Sequence, residues 1–323
     1  MSNILIKTMN YNHIEDAARI AISEYHEERS AVPILPDREY FDIFCKLIGQ
    51  LIEHKLGVAA IENGKTVGFL TCYKPWGGHF GNTLGTFSPV HAHGTVKENR
   101  RRIYSELYQA ASEKWVKESV LSHCIALYTH NKEAVDSFYW NDFGLRCIDA
   151  IREVKAIENS QFPKGLYQEL PKEEIAEIAP LKNLLRKHLQ STPMFMPLFA
   201  EKDVQQVKEE NERRNSRYFV AKIDGEVVGF VEIMRSGENF ACEDTGMMNI
   251  CGAYLLPQYR NRGIYSGLIS YLMDTLKAEG YTRCGVDFES FNPTAKGFWT
   301  KYFTPYTYSV TRRIDERIIK NYN

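Results

Sequence analysis

The sequence predicts an α+β protein built from two tandem copies of one domain, each a mixed, mostly antiparallel sheet flanked by helices. Three observations predict it. The first is self-similarity at one offset. Val67-Gly68-Phe69 recurs as Val228-Gly229-Phe230, Ile103-Tyr104-Ser105 as Ile264-Tyr265-Ser266, Asn131 and Ala134 as Asn292 and Ala295, and Arg152 as Arg313, always 161 residues apart. Matches at a constant spacing over about half the chain point to duplication rather than shared composition. The second is a pair of two-residue hairpin signals, Asn63-Gly64 and Asp224-Gly225, at equivalent places in the two copies. The third is the order of the runs, an antiparallel meander followed by strand, helix, strand, helix, strand. The expected domains are 1–155 and 166–323, with the seam at 156–165.

The elements of the second copy follow in order. "EEIAEIAPLKNLLRKHL" and "KDVQQVKEENERR" carry apolar residues at helical spacing. "RYFVAKI" and "EVVGFVEIM" are β-rich runs around Asp224-Gly225, and "MMNICGAYLL" reads as a third, buried strand. Gly263 to Lys277 has helical periodicity, "RCGVDFESF" returns as a strand, "TAKGFWTKYF" is a short helix and "TYSVTRRI" a last strand. The first copy repeats this order, with Arg102 to Lys117 as the long helix and "HCIALYTH" as the returning strand.

Composition limits the function classes. A length of 323 residues with 44% hydrophobic content suits two ordinary cores. A formal net charge of -1 gives no bulk field to recruit nucleic acid or an anionic membrane. Seven cysteines, an odd number without a C-x-x-C pair, fit reduced thiols better than a disulfide framework or a zinc site. No run of eighteen apolar residues is found. The expectation is a cytoplasmic protein without a nucleic-acid or membrane partner. His91 and His93 in "VHAHG" have the spacing of two metal ligands on one strand face, but no third ligand is at convincing spacing, so no metal is expected. The mixed charges of Lys208 to Arg217 read as a solvated helix face.

The stretch that carries chemistry is "LLPQYRNRGIYSGL", Leu255 to Leu268. A strand that stops and feeds a helix exposes the helix's first N–H groups, which have no partner inside it. Those donors and the positive end of the dipole form an anion site. Gly263 permits close approach, and Arg260 and Arg262 add charge-assisted donors.

"PQYRNRGIY" resembles the acyl-CoA-binding motif of the GNAT superfamily of acetyltransferases, Gln/Arg-x-x-Gly-x-Gly/Ala, with Arg260 and Gly263 on its first two fixed positions. "NPTAKGFW" resembles the Asn-x-x-Ala helix of that family. The resemblance covers most of the chain and is stronger in the second copy. It implies that the loop Arg260-Asn261-Arg262-Gly263-Ile264-Tyr265, with Asn292 and Trp299, binds acetyl-CoA, and that backbone N–H groups of Leu255 and Leu256 face the thioester oxygen. It implies direct transfer of the acetyl group to an amine of a small molecule or peptide. Tyr265 stands where the family has Gly or Ala, so its side chain must turn away from the ligand or line its path. Trp299 stands where the family places a Tyr that protonates sulfur; Tyr302, one turn on, is the nearest substitute. Glu232, on a neighbouring strand, is the candidate base. In the first copy Arg102 replaces Gly263, which makes that copy the candidate for a degenerate cofactor motif. Two other readings stay open at this stage: a non-catalytic CoA-binding or sensing protein, and an aminoacyl-tRNA-dependent transferase.

Overall fold

A computed structural model describes residues 4–78, 81–157, 166–197 and 200–321. Most of the expected seam, from 158 to 165, lies outside the described residues. The chain divides into two compact units, one of residues 1–148 with 305–323 and one of residues 149–304. The second copy's last strand is thus counted with the first unit, a division that differs from the 1–155 and 166–323 of the repeat.

The first unit runs β1 (Leu5–Thr8), α1 (Ile14–Ala31), α2 (Phe41–Ile52), β2 (Val58–Glu62), β3 (Lys65–Leu70), β4 (Trp76–Gly77), β5 (Leu84–Ser88), β6 (His93–Thr95), α3 (Arg100–Lys117), β7 (Val120–Tyr128) and α4 (Lys132–Tyr139), with β8 (Gly144–Glu153) running across its boundary. β1, β2, β3 and β6 form an antiparallel meander. β5 lies parallel to β7. The chain's last strand pairs antiparallel with β7 from Thr307 opposite Tyr128 to Arg313 opposite Ser122, and it contributes Val310 to the core of Ile103, Leu107, Trp115, Ile125 and Phe138.

The second unit runs β9 (Tyr167–Glu169), α5 (Ala179–Gln190), α6 (Val204–Arg214), β10 (Arg217–Ile223), β11 (Glu226–Met234), β12 (Met247–Leu255), α7 (Ile264–Ala278), β13 (Arg283–Glu289) and α8 (Pro293–Tyr302), and β14 (Thr304–Arg313) completes the chain order. Local chemistry sets these bounds. Asp203 caps α6 in a reciprocal pair with Gln206. Asp224 and Gly225 both take positive φ, 51° and 84°, the geometry of a tight hairpin turn. Asn292 and, in the first unit, Asn131 accept the N–H of Ala295 and Ala134, so the Asn-x-x-Ala of each copy is a helix N-cap. The Lys208 to Arg217 run is less solvated than expected, because Glu210 and Arg214 turn inward toward Lys182 and Glu232. β9 to β12 pair antiparallel, and β12 lies parallel to β13 from Met247 opposite Arg283 to Ile250 opposite Val286. At the next residue β12 bulges against β11, where Glu232 faces Gly252 and Ile233 faces Ile250. Cys251 is the extra residue, and the bulge turns the end of β12.

Candidate active site

The parallel ladder between β12 and β13 ends at Ile250 and Val286, while β12 continues to Leu255. Antiparallel pairing with β11 decides where the free amides of that extension point. Leu256 N–H donates to Val228 O at 2.9 Å, so alternate residues exchange bonds with β11. Leu255, opposite Gly229, is the intervening residue, and its N–H points away from β11 past the end of the β12–β13 ladder. The expectation for Leu256 is therefore corrected: its N–H is spent on the sheet, whereas the N–H of Leu255 is not bonded to β11.

Gly263 is the N-cap of α7 with φ 75°, the left-handed region, and no side chain caps the helix. The first helical bond runs from Gly267 N–H to Gly263 O at 2.9 Å, leaving the N–H groups of Ile264, Tyr265 and Ser266 without helical partners. A Cβ on Gly263 would meet nothing within 4 Å, so the residue faces open space.

That space is a cavity of about 620 Å³. Its wall includes Leu255, Arg260, Asn261, Gly263, Ile264, Tyr265, Asn292, Trp299 and Tyr302 from the expected set. Leu256, Arg262 and Glu232 do not line it. Arg262 is exposed, whereas Arg260 sits over the Tyr254 ring, 5.6 Å from its centroid, with Nε donating to Leu255 O at 3.1 Å. Tyr265 lines the wall with its hydroxyl turned into the sheet, donating to Phe230 O at 3.2 Å, and its ring stands edge-on to Phe298 and Trp299. Burial raises its phenol pKa above the ordinary value. Tyr302 Oη lies 3.1 Å from Ser266 Oγ.

Glu232 lies elsewhere. It is 1% exposed on β11 and accepts from Lys182 Nζ at 3.2 Å, with Arg214 Nη1 3.8 Å from its second oxygen. Lys182 also reaches Glu210 and the Tyr218 hydroxyl, so the carboxylate belongs to a buried ion cluster. The wall contains two side chains that the sequence reading did not single out, His188 and Thr294, whose Nε2 and Oγ1 are 3.2 Å apart. No motif marks His188; its helix periodicity was the one signal near it.

The equivalent place in the first unit is filled. α3 begins at Arg100, so the positions matching the Arg260–Gly263 loop are partly helical. Arg102 pairs with Glu106 at 2.7 Å on the exposed face, while Arg100 turns inward and binds both oxygens of Glu27 at 2.8 and 3.0 Å. Thr95 faces Gly68 as Leu255 faces Gly229, and its N–H donates to Glu24 Oε1 at 2.9 Å. The Tyr104 hydroxyl donates to the same carboxylate, and His93 bridges Tyr104 and Ala126 O at 3.1 and 2.6 Å. Burial pushes the Glu24 carboxyl up to about 7 against the opposing pull of Arg100, and pushes His93 down to about 4. His91 lies in the turn before β6, not on one strand face with His93.

Residues 183–303 match the acetyltransferase (GNAT) family model. A solved GCN5-related N-acetyltransferase from Sphaerobacter thermophilus is similar with a TM-score of 0.57 at 10% identity, over 96% of this chain and 95% of that one. A fungal multi-domain GH3 beta-N-acetylglucosaminidase carrying a GCN5-related glucosamine N-acetyltransferase region gives 0.52 at 11% identity, over 96% of this chain and 38% of that one. No curated protein matches the sequence. At such identities the solved structures speak to the fold alone. The chain has the fold of two tandem GNAT-like domains, and the match to the acetyltransferase (GNAT) family model falls in the second of them.

Proposed function

We propose that the protein is an acetyl-CoA-dependent N-acetyltransferase whose second unit binds the donor and whose first unit does not. The observation that carries this reading is the cavity in which the uncapped N-terminus of α7, the open face of Gly263 and the N–H of Leu255 meet. The residues fit such a ligand. Among the described residues no Asp or Glu lines the wall, and Arg260 and Lys301 do, so the cavity favours a polyanion. Arg260 and the first-turn amides of α7 would hold the pyrophosphate. Leu255 N–H would donate to the thioester oxygen as negative charge develops on it, the arrangement that most strongly favours acyl transfer. Asn292 would use its amide N–H₂ on the ligand, since its Oδ1 already accepts from Ala295 and Thr294. Tyr302, held by Ser266, would supply a proton to the departing sulfur.

Calorimetric titration with acetyl-CoA tests the assignment, with one site per chain expected. Thiol release is then followed with a panel of primary amines that includes glucosamine, the amine named for the fungal region of similar fold. Two sites per chain would refute the division between units, and absence of binding would refute the transferase reading.

A further inference from the structure

Transfer to an amine needs a group that accepts the amine proton. Among the described residues the cavity wall offers no carboxylate, and apart from two cations and the tyrosines its titratable side chain is His188, in the last turn of α5. Its hydrogen bonds fix which nitrogen carries the proton. Asn292 Oδ1 accepts the Ala295 N–H at 3.2 Å, which settles the orientation of that amide. The same oxygen lies 2.8 Å from Thr294 Oγ1. An amide oxygen can only accept, so the single Thr294 hydroxyl hydrogen points at Asn292. Thr294 Oγ1 must then receive the bond from His188, 3.2 Å away, and Nε2 bears the hydrogen. Nδ1 keeps its lone pair.

Resting on the transferase reading above, the geometry points to His188 Nδ1 as the base that takes the proton of the acceptor amine, with Thr294 and Asn292 as positioning residues. In the transfer the amine nitrogen bonds to the thioester carbonyl carbon and the carbon–sulfur bond breaks. The proton lost by a neutral amine goes to Nδ1 and one proton goes to the sulfur, so amide and thiol form without any further reactant. The groups that face the imidazole are Arg260 from the loop after β12, Tyr254 on β12, 6.3 Å between ring centroids, and Asn292 and Thr294 at the start of α8. Burial and the Arg260 charge lower the imidazole's pKa, against an opposing contribution from Asn292, and so keep it in the free-base form at neutral pH.

The test combines three readouts on the full chain: thiol release from acetyl-CoA with the amine panel, acetyl-CoA affinity by calorimetry, and ¹⁵N spectra of the imidazole. His188→Ala and His188→Gln should each lower kcat about 100-fold while the acetyl-CoA Kd stays within about twofold of wild type. The acid limb of the kcat/KM profile should disappear with them. The spectra should show the Nε2–H tautomer in wild type, and Thr294→Val should abolish that preference and lower kcat with it. An unimpaired kcat in the His188 variants, a loss confined to Kd, or an Nδ1–H ring at pH 7 would overturn the proposal alone. A wild type that binds no acetyl-CoA or releases no thiol overturns it together with the transferase reading.

Discussion

Replacing Gly263 separates a backbone effect from a ligand effect. Its φ of 75° is in the region where an L side chain costs about 1–2 kcal/mol. No atom lies within 4 Å of an added Cβ, so Gly263→Ala adds no steric term to that strain. For a unit of this size a loss of about 1–2 kcal/mol lowers Tm by roughly 3–6 °C. The methyl group projects into the cavity at the first turn of α7, where it displaces an anion from the free amides. Forfeiting one charge-assisted hydrogen bond costs about 1.5–3 kcal/mol, so the acetyl-CoA Kd should rise at least about tenfold. Gly263→Arg should abolish binding with the fold retained. Differential scanning fluorimetry reads the first effect and calorimetry the second. An Ala variant that loses Tm but keeps its Kd would show that the pyrophosphate does not sit on this loop; one that loses neither would refute the backbone argument as well.

Tyr302→Phe should lower kcat about 100-fold with the acetyl-CoA Kd unchanged, and Ser266→Ala should lower it less; steady-state kinetics with calorimetry checks both. Arg100→Ala leaves Glu24 buried without its cation and should destabilise the first unit by about 3–5 kcal/mol, read as a shift in denaturation midpoint. Acidification should also destabilise the protein. Burial holds His91, His93 and His123 at about 4 against an ordinary 6.5, so the unfolded chain takes up protons that the folded one refuses as pH falls from 6.5 to 4. Each group contributes on the order of 3 kcal/mol over that window. Glu24, raised from 4.5 to about 7, acts in the opposite sense, its stabilisation being lost as pH rises through 7. Asp287, raised from 3.8 to about 8, acts in the same sense as Glu24. Two groups against three leave a net loss only as the pH reaches about 4, and equal denaturation midpoints at about pH 7 and about pH 4 would contradict it.

What the sequence shows and what it hides divide along contact range. Asp224-Gly225, the Gly263 loop and the Asn292 cap act on backbone within a few residues, and their chemistry is printed beside them. The partners of Glu232 are not: Lys182 comes from a helix 50 residues upstream, and only folding makes the carboxylate part of an ion cluster. His188 has no local signature, since its role depends on meeting Thr294, 106 residues on. The arginine run of the first copy was legible as charge but not as direction. With the helix starting at Arg100, it is Arg100 that turns inward to Glu27, and Arg102 faces solvent. The pairing of the chain's last strand with β7 likewise has no cue in either segment.

A single amide separates the two copies more sharply than their count of arginines or glycines. In each, the residue opposite the glycine of Val-Gly-Phe points its N–H away from the meander, and a buried amide must find an acceptor. In the first unit α1 supplies one: Glu24 takes the Thr95 N–H and the Tyr104 hydroxyl, with Arg100 near enough to offset part of the charge. In the second, the matching Tyr265 gives its hydroxyl to Phe230 O instead, and Leu255 lines a cavity whose wall contains no carboxylate among the described residues. On the proposed function, an oxygen brought by a ligand would be the acceptor that completes the second copy, as Glu24 completes the first. By this reasoning a Gly restored at position 102 would not by itself open the first copy, because the anion already seated at Thr95 would remain.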